Sequence, residues 1–308
     1  MSEKKQTDPE LFILFWYYPA NFLKYRAKLM SRPRVALLML LSVWLSGCAV
    51  NRLPESLGYG VLNNDDLETV REGLPTYLLV LDGAVINYPR NDGLLRTASN
   101  LNGAYASLFV QEKERRVRLI DKSLKYAQRQ MCIHKKRACG LETLEFEKFQ
   151  QIVQDMDRKK DLEALYTLGS AWAGYIQEHS DDWNAVADLA KVELIMKQVV
   201  AIDESYSRGQ ALLYLGIINS LIPPGLGGKP EVAREYFERG IELSYGRNLI
   251  IKVKYAEKYA RLVFDQDLHD RLLREVIAAD PEENGLTLQN HYAQQLAREL
   301  LAESNDYF

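Results

Sequence analysis

Leu212 to Ser244 reads LLYLGIINSLIPPGLGGKPEVAREYFERGIELS, and this stretch decides the fold. Leu212, Leu215, Gly216 and Asn219 recur at the spacing that places them on one face of a helix. A proline- and glycine-rich loop, Pro223 to Gly228, then interrupts the period. Lys229-Pro230-Glu231 opens a second helix, with proline at its start and a carboxylate in its first turn. On that helix Ala233, Phe237 and Gly240 share a face. The reading is a helical hairpin in which Gly216 permits close approach. Ala233 and Gly240 flank Phe237, a knob that fills the hole they leave.

The pattern recurs outward from this hairpin. Upstream, Leu165, Leu168, Gly169 and Trp172 share one helix face, with Ala190 and Leu194 on a partner helix, Trp183 to Val200. Large residue, Leu-Gly, small residue and aromatic is the tetratricopeptide arrangement. Downstream a fainter hairpin spans Leu249 to Phe264 and Leu268 to Ala279, and Leu286 to Glu303 would cap the stack. Before Asp161 further helices are predicted. They are one from Leu67, one from Leu74 to Ile86 after an interruption at Pro75, then Leu94–Val110, Glu112–Met131 and Glu142–Met156. Asn64-Asp65 offers the first cap. No alternating apolar–polar run is bounded by turns, so no strand is expected. The predicted fold over 64–308 is all-α. It consists of stacked antiparallel helix hairpins, a tetratricopeptide-like solenoid or a closed helical array.

Farther out, Arg32 and Arg34 precede the apolar run Val35–Leu45, which closes on Leu45-Ser46-Gly47-Cys48. A basic flank, an apolar core and small residues are the order of a signal peptide. With cysteine next, the pattern resembles a bacterial lipobox and implies diacylglycerol on Cys48 and cleavage after Gly47. The run has 11 residues, whereas a helix needs about 20 to span a bilayer. Residues 1–47 are therefore expected to be a signal peptide preceded by an extension ahead of a start at Met30. A short membrane-dipping segment at Leu11–Tyr18 is the alternative. Residues 48–63 read as lipid tether and linker. Ala49, rather than Asp, after the lipidated cysteine favours the outer membrane over the inner, on its periplasmic side.

The chain carries a formal net charge of −3, and the first 47 residues contribute seven basic and three acidic side chains. Without them the charge is −7, which argues against a nucleic-acid partner. Cys132 and Cys139 lie in CIHKKRAC, followed by Gly140. In an oxidising compartment they either form a disulfide or remain two thiols. With His134 they lack a fourth zinc ligand nearby, so no metal is expected. No cofactor is expected either. The four histidines fall in no HExxH spacing and no serine lies in a GxSxG turn, so no enzyme is read. The glycine-rich loop is not a phosphate loop, because a helix precedes it and Pro230 follows Lys229.

The Leu212–Ser244 segment is similar to the signature of the T-component family of TRAP transporters. Lys252-Val253-Lys254-Tyr255-Ala256 and Leu288-Gln289-Asn290-His291-Tyr292-Ala293 fit as well, as does Leu300-Leu301. So do Gly73-Leu74-Pro75 with Leu78, Leu79 and Asp82-Gly83, and Gly103-Ala104-Tyr105-Ala106-Ser107. Gly240 departs from the family's usual Ala. The resemblance implies a periplasmic lipoprotein accessory to a TRAP transporter that binds its substrate-binding protein. It also implies a helical pore for an apolar or organic-anion ligand. The alternatives are an independent lipophilic carrier or an interaction scaffold of the envelope, and a homo-oligomer is compatible with each. From the residues themselves, Tyr214, Tyr236, Tyr255 and Tyr259, with Asn219, are candidate ligand- or partner-facing groups, each also readable as core. Arg247 and Lys252 are candidate carboxylate holders, each also readable as solvated.

Overall fold

The structure, a computed structural model, describes residue 56 and residues 58–308. Cys48 and the signal-peptide reading lie outside the described residues. Every element is helical, and no strand occurs among the described residues. In chain order the α-helices are α1 (Leu67–Asn87), α2 (Asp92–Phe109), α3 (Lys113–His134), α4 (Phe146–Gln154), α5 (Leu162–Glu178), α6 (Trp183–Ala187), α7 (Leu189–Ile202), α8 (Gln210–Asn219), α9 (Pro230–Leu243), α10 (Leu249–Lys254), α11 (Gln266–Ala278), α12 (Thr287–Ala302) and α13 (Ser304–Tyr307). Successive helices pack as pairs: α1 on α2, α2 on α3, α5 on α7, α8 on α9 and α11 on α12.

The first and last parts of this array also meet. Leu288 of α12 joins the core made by Val70, Leu74 and Leu78 of α1 with Leu95 and Ala98 of α2. The Gly285 amide donates to Asn63 Oδ1 at 2.7 Å. The array is closed rather than open.

The hairpin residues pack as their spacing requires. A Cβ on Gly216 would lie 2.9 Å from three ring atoms of Phe237, and one on Gly169 would lie 2.8 Å from Met196 Cε. No real Cβ sits that close, so both glycines are set by helix approach. Gly240 lies against the backbone of Gly209, where a Cβ on Gly209 would be 3.2 Å from Gly240 Cα. A Cβ on Gly240 itself would meet Ile251 Cδ1 at 3.2 Å and the Gly209 carbonyl oxygen only at 3.6 Å, an ordinary contact.

Several expectations are corrected. Pro75 lies inside α1 and does not end it. An internal proline costs a helix about 3 kcal/mol. Here Val70, Leu74, Leu78, Leu81 and Val85 bury one continuous stripe across it, and that burial outweighs the lost hydrogen bond. The cap of α1 is Asp66, which accepts from the Glu68 and Thr69 amides, rather than Asn64 or Asp65. Residues 58–62, read as linker, are helical. The Trp183–Val200 helix divides at Asp188. After α10 the chain widens into a π-helical segment, Tyr255–Ala260. Cys132 and Cys139 form a disulfide, followed by Gly140 in the left-handed region at φ 71°.

One end of the array is tied by a buried amide network. Asn290 is fully buried, accepts from the Leu249 amide at 3.1 Å, and donates to the Arg247 and Pro281 carbonyls. Gln289 Nε2 donates to Asn248 Oδ1, and Asn248 Nδ2 donates to the Arg208 carbonyl. Gln294 donates to the Val276, Ile277 and Ala279 carbonyls. The Leu288–Ala293 motif thus fastens the loops that enter α8, α10 and α12.

Candidate functional site

Two features are candidates for a site. The first is a tyrosine cluster. Tyr166 of α5 meets Tyr206, in the turn before α8, edge-on at 5.5 Å, and meets Tyr214 of α8 at 6.3 Å. A left-handed turn positions Tyr206. Ser207 and Arg208 have φ 50° and 55°, followed by Gly209 at 77°. Non-glycine residues there cost on the order of 1 kcal/mol each, so surrounding contacts must hold them. Asp203 Oδ1 accepts from the Ser205 amide and hydroxyl, Arg208 pairs with Glu283 at 2.5 Å, and Arg208's carbonyl accepts from Asn248.

All three rings keep some accessible surface. Yet burial pushes the Tyr206 and Tyr214 hydroxyls up to about 12 and raises Tyr166 well above its ordinary value. At Tyr206 the charge of Glu163 adds to the rise and Arg96 opposes it. Arg96 and Glu163 are themselves ion-paired. The cluster is thus aromatic and half-buried against the core, with the Arg96–Glu163 ion pair acting on Tyr206.

The raised values favour the neutral tyrosines of the folded state. Their stabilisation is therefore present below the ordinary tyrosine pKa of about 10 and is lost as pH rises toward 12. The urea midpoint of the wild type should fall over that interval, and Tyr214→Phe should lessen the fall. An equal fall in both would remove Tyr214 from the cluster.

The second feature is the loop between α8 and α9, a turn at Pro224–Leu226. Leu221 and Ile222 are about half exposed, and Leu226 is 79% exposed. The loop is nevertheless fixed. The Pro223 carbonyl accepts from the Leu226 amide at 2.9 Å and the Gly228 amide at 3.1 Å. A Cβ on Gly228 would sit 1.8 Å from the Ile222 carbonyl oxygen, so only glycine fits. The result is a rigid apolar knuckle.

The other predicted site residues divide between the two states the sequence left open. Tyr214 belongs to the tyrosine cluster, and it and Tyr236 are half-buried against the same core. Asn219 donates back to the Leu215 carbonyl of its own helix. Tyr255 and Tyr259 are core: Tyr255 stacks on Phe237 at 5.1 Å and donates its hydroxyl to Glu238, and Tyr259 lies 5.1 Å from it. Both rings lie in the π-helical segment and are buried, so of the two states left open the core is the one they occupy. Arg247 is paired with Glu283 and Lys252 with Glu275, so both cations are held by carboxylates of this chain.

Each histidine faces an acid: His134 with Asp161, His179 with Asp121, His269 with Asp270 and His291 with Glu282. At Asp161, burial acts to raise the pKa, and the hydrogen bonds from His134 and the Arg158 amide bring it below the ordinary value. Among the described residues no group of three His, Cys, Asp or Glu side chains could hold a metal. Tyr166 and Tyr206 were not among the predicted residues. Only their meeting across a left-handed turn reveals them, and no local spacing signals it.

Comparison with curated proteins gives no match. The family model for the TRAP transporter T-component matches residues 63–308, the whole helical array. That family is a set of transporter accessory proteins of the cell envelope. The chain belongs to the TRAP transporter T-component family.

Proposed function

We propose that this protein is a periplasmic lipoprotein, anchored through Cys48, that docks the substrate-binding protein of a TRAP transporter. The observation that carries the reading is the knuckle. It presents three large aliphatic side chains on a backbone that Gly228 and Pro223 hold in one shape. A preorganised apolar projection loses little entropy on binding, and it lies in the segment most specific to the family. Seated in a pocket, Leu226 would be the anchor and the charged flank Lys229-Pro230-Glu231 the rim.

The half-buried tyrosine cluster supports a second role, holding an apolar or organic-anion ligand against Tyr166, Tyr206 and Tyr214. A protein that did only this would be an independent lipophilic carrier.

Pull-down from periplasmic extract, followed by titration of the recovered partner, separates the readings. A transient interface burying on the order of 1,200–2,000 Å² is compatible with micromolar affinity. Leu226→Asp should weaken binding at least about tenfold, the equivalent of ~1.4 kcal/mol, with thermal stability unchanged because the side chain is exposed. Gly228→Ala should weaken it too, by moving the loop. If no substrate-binding protein is enriched and an apolar ligand co-purifies, docking falls and the carrier stands.

A further inference from the structure

Helix α1 is apolar on two opposite sides. Val70, Leu74, Leu78, Leu81 and Val85 face the core. At about 100° per residue, Thr76, Leu79, Val80, Gly83 and Ile86 fall on the opposite side. There Leu79 is 73% and Ile86 78% exposed, and Val80 is more than half exposed. Tyr88, exposed, lies beyond the stripe, whereas Tyr77 falls on the flank of the buried face. The nearest charge, Asp82, is drawn off the stripe by Lys122 and by the Tyr126 hydroxyl at 2.8 Å. No helix among the described residues is long and apolar enough to cross a membrane, so this face is not a spanning one.

The position of α1 in the chain identifies what covers it. Gly58 is ten residues after Cys48, and ten extended residues reach at most about 35 Å. A lipid on Cys48 would therefore hold the helical stretch 58–62, whose Val61 packs against the core under α1, within that reach of the bilayer. A bilayer accepts a flat apolar stripe without needing a matched surface, and tyrosines suit its boundary. The approach to the stripe is acidic, with Asp65, Asp66, Glu68 and Glu72, so adsorption rests on apolar partition and needs no anionic lipid.

We propose that the outer face of α1 seats the domain on the membrane that holds its anchor, with Leu79, Val80 and Ile86 entering the headgroup boundary. The tether geometry rests on the lipoprotein reading of Cys48.

The test uses the full-length protein, purified and reconstituted in phosphatidylcholine vesicles that carry a lipid-borne quencher. An environment-sensitive fluorophore is placed on Leu79→Cys or, as a control of comparable exposure, on Ile222→Cys. Quenching at position 79 should exceed that at 222 several-fold, and adding Ile86→Glu should reduce it toward the control. Equal quenching at the two positions overturns the proposal. So does disulfide cross-linking of two copies of the unlabelled Leu79→Cys protein in place of quenching, which would assign the face to a second copy of this chain. Incorporation of labelled fatty acid into wild type but not Cys48→Ser reads the anchor separately. Its failure would remove the tether while the quenching comparison still decides the role of α1.

Discussion

Phe237→Ala should destabilise the protein by about 3–5 kcal/mol. Phe237 is fully buried and stacks on Tyr255 at 5.1 Å. Its ring fills the space opposite Gly216, where a Cβ would come within 2.9 Å. Truncation leaves a void between α8, α9 and the π-helical segment. Gly216→Ala alone should also destabilise, because the new methyl must displace the ring. In the Phe237→Ala background the same methyl enters the void and should cost less or stabilise. Coupling of neighbours in contact runs to about 0.5–3 kcal/mol. Urea unfolding of the four proteins in the cycle measures it, and an unchanged midpoint for Phe237→Ala would place that residue outside the core.

Asn290→Leu should be comparably severe, for a different reason. The replacement is of similar size, so packing volume is nearly kept. What is lost is polar satisfaction: the buried Leu249 amide and the Arg247 and Pro281 carbonyls each lose a partner. A buried orphan group costs about 1–3 kcal/mol, so the total should reach several kcal/mol. Hydrogen exchange should place the damage at the Leu249 amide and the start of α12. Exchange there unchanged from wild type would show that water replaces Asn290 without loss.

What the sequence made legible was set by neighbours close in the chain. Gly169, Gly216, Ala233, Phe237 and Gly240 announce a hairpin because each packs within one pair of helices. Features decided at a distance were not legible. Pro75 reads as a break until the buried stripe on both sides of it is seen. Tyr255 and Tyr259 read equally as lining or as core, because a tyrosine ring suits both, and only their packing with Phe237 decides for the core. The tyrosine cluster needed Tyr166 and Tyr206 together, forty residues apart, brought into contact by a left-handed turn whose local sign is Gly209. The knuckle was legible as a loop, but its rigidity depends on a contact between Gly228 and Ile222 that composition does not reveal.

The bond from the Gly285 amide to Asn63, with Leu288 seated among α1 and α2, carries a consequence for how such a chain can vary. An open stack of hairpins gains or loses a unit at its end by making or breaking one interface. This array has no end at which to grow. An added hairpin would have to part α1 from α12 and reopen the core between them, so duplication is penalised at once and deletion leaves a gap. The number of hairpins is thereby fixed as the number of staves is fixed in a barrel. Variation in length is channelled into the loops, which cross no interface of the closed array.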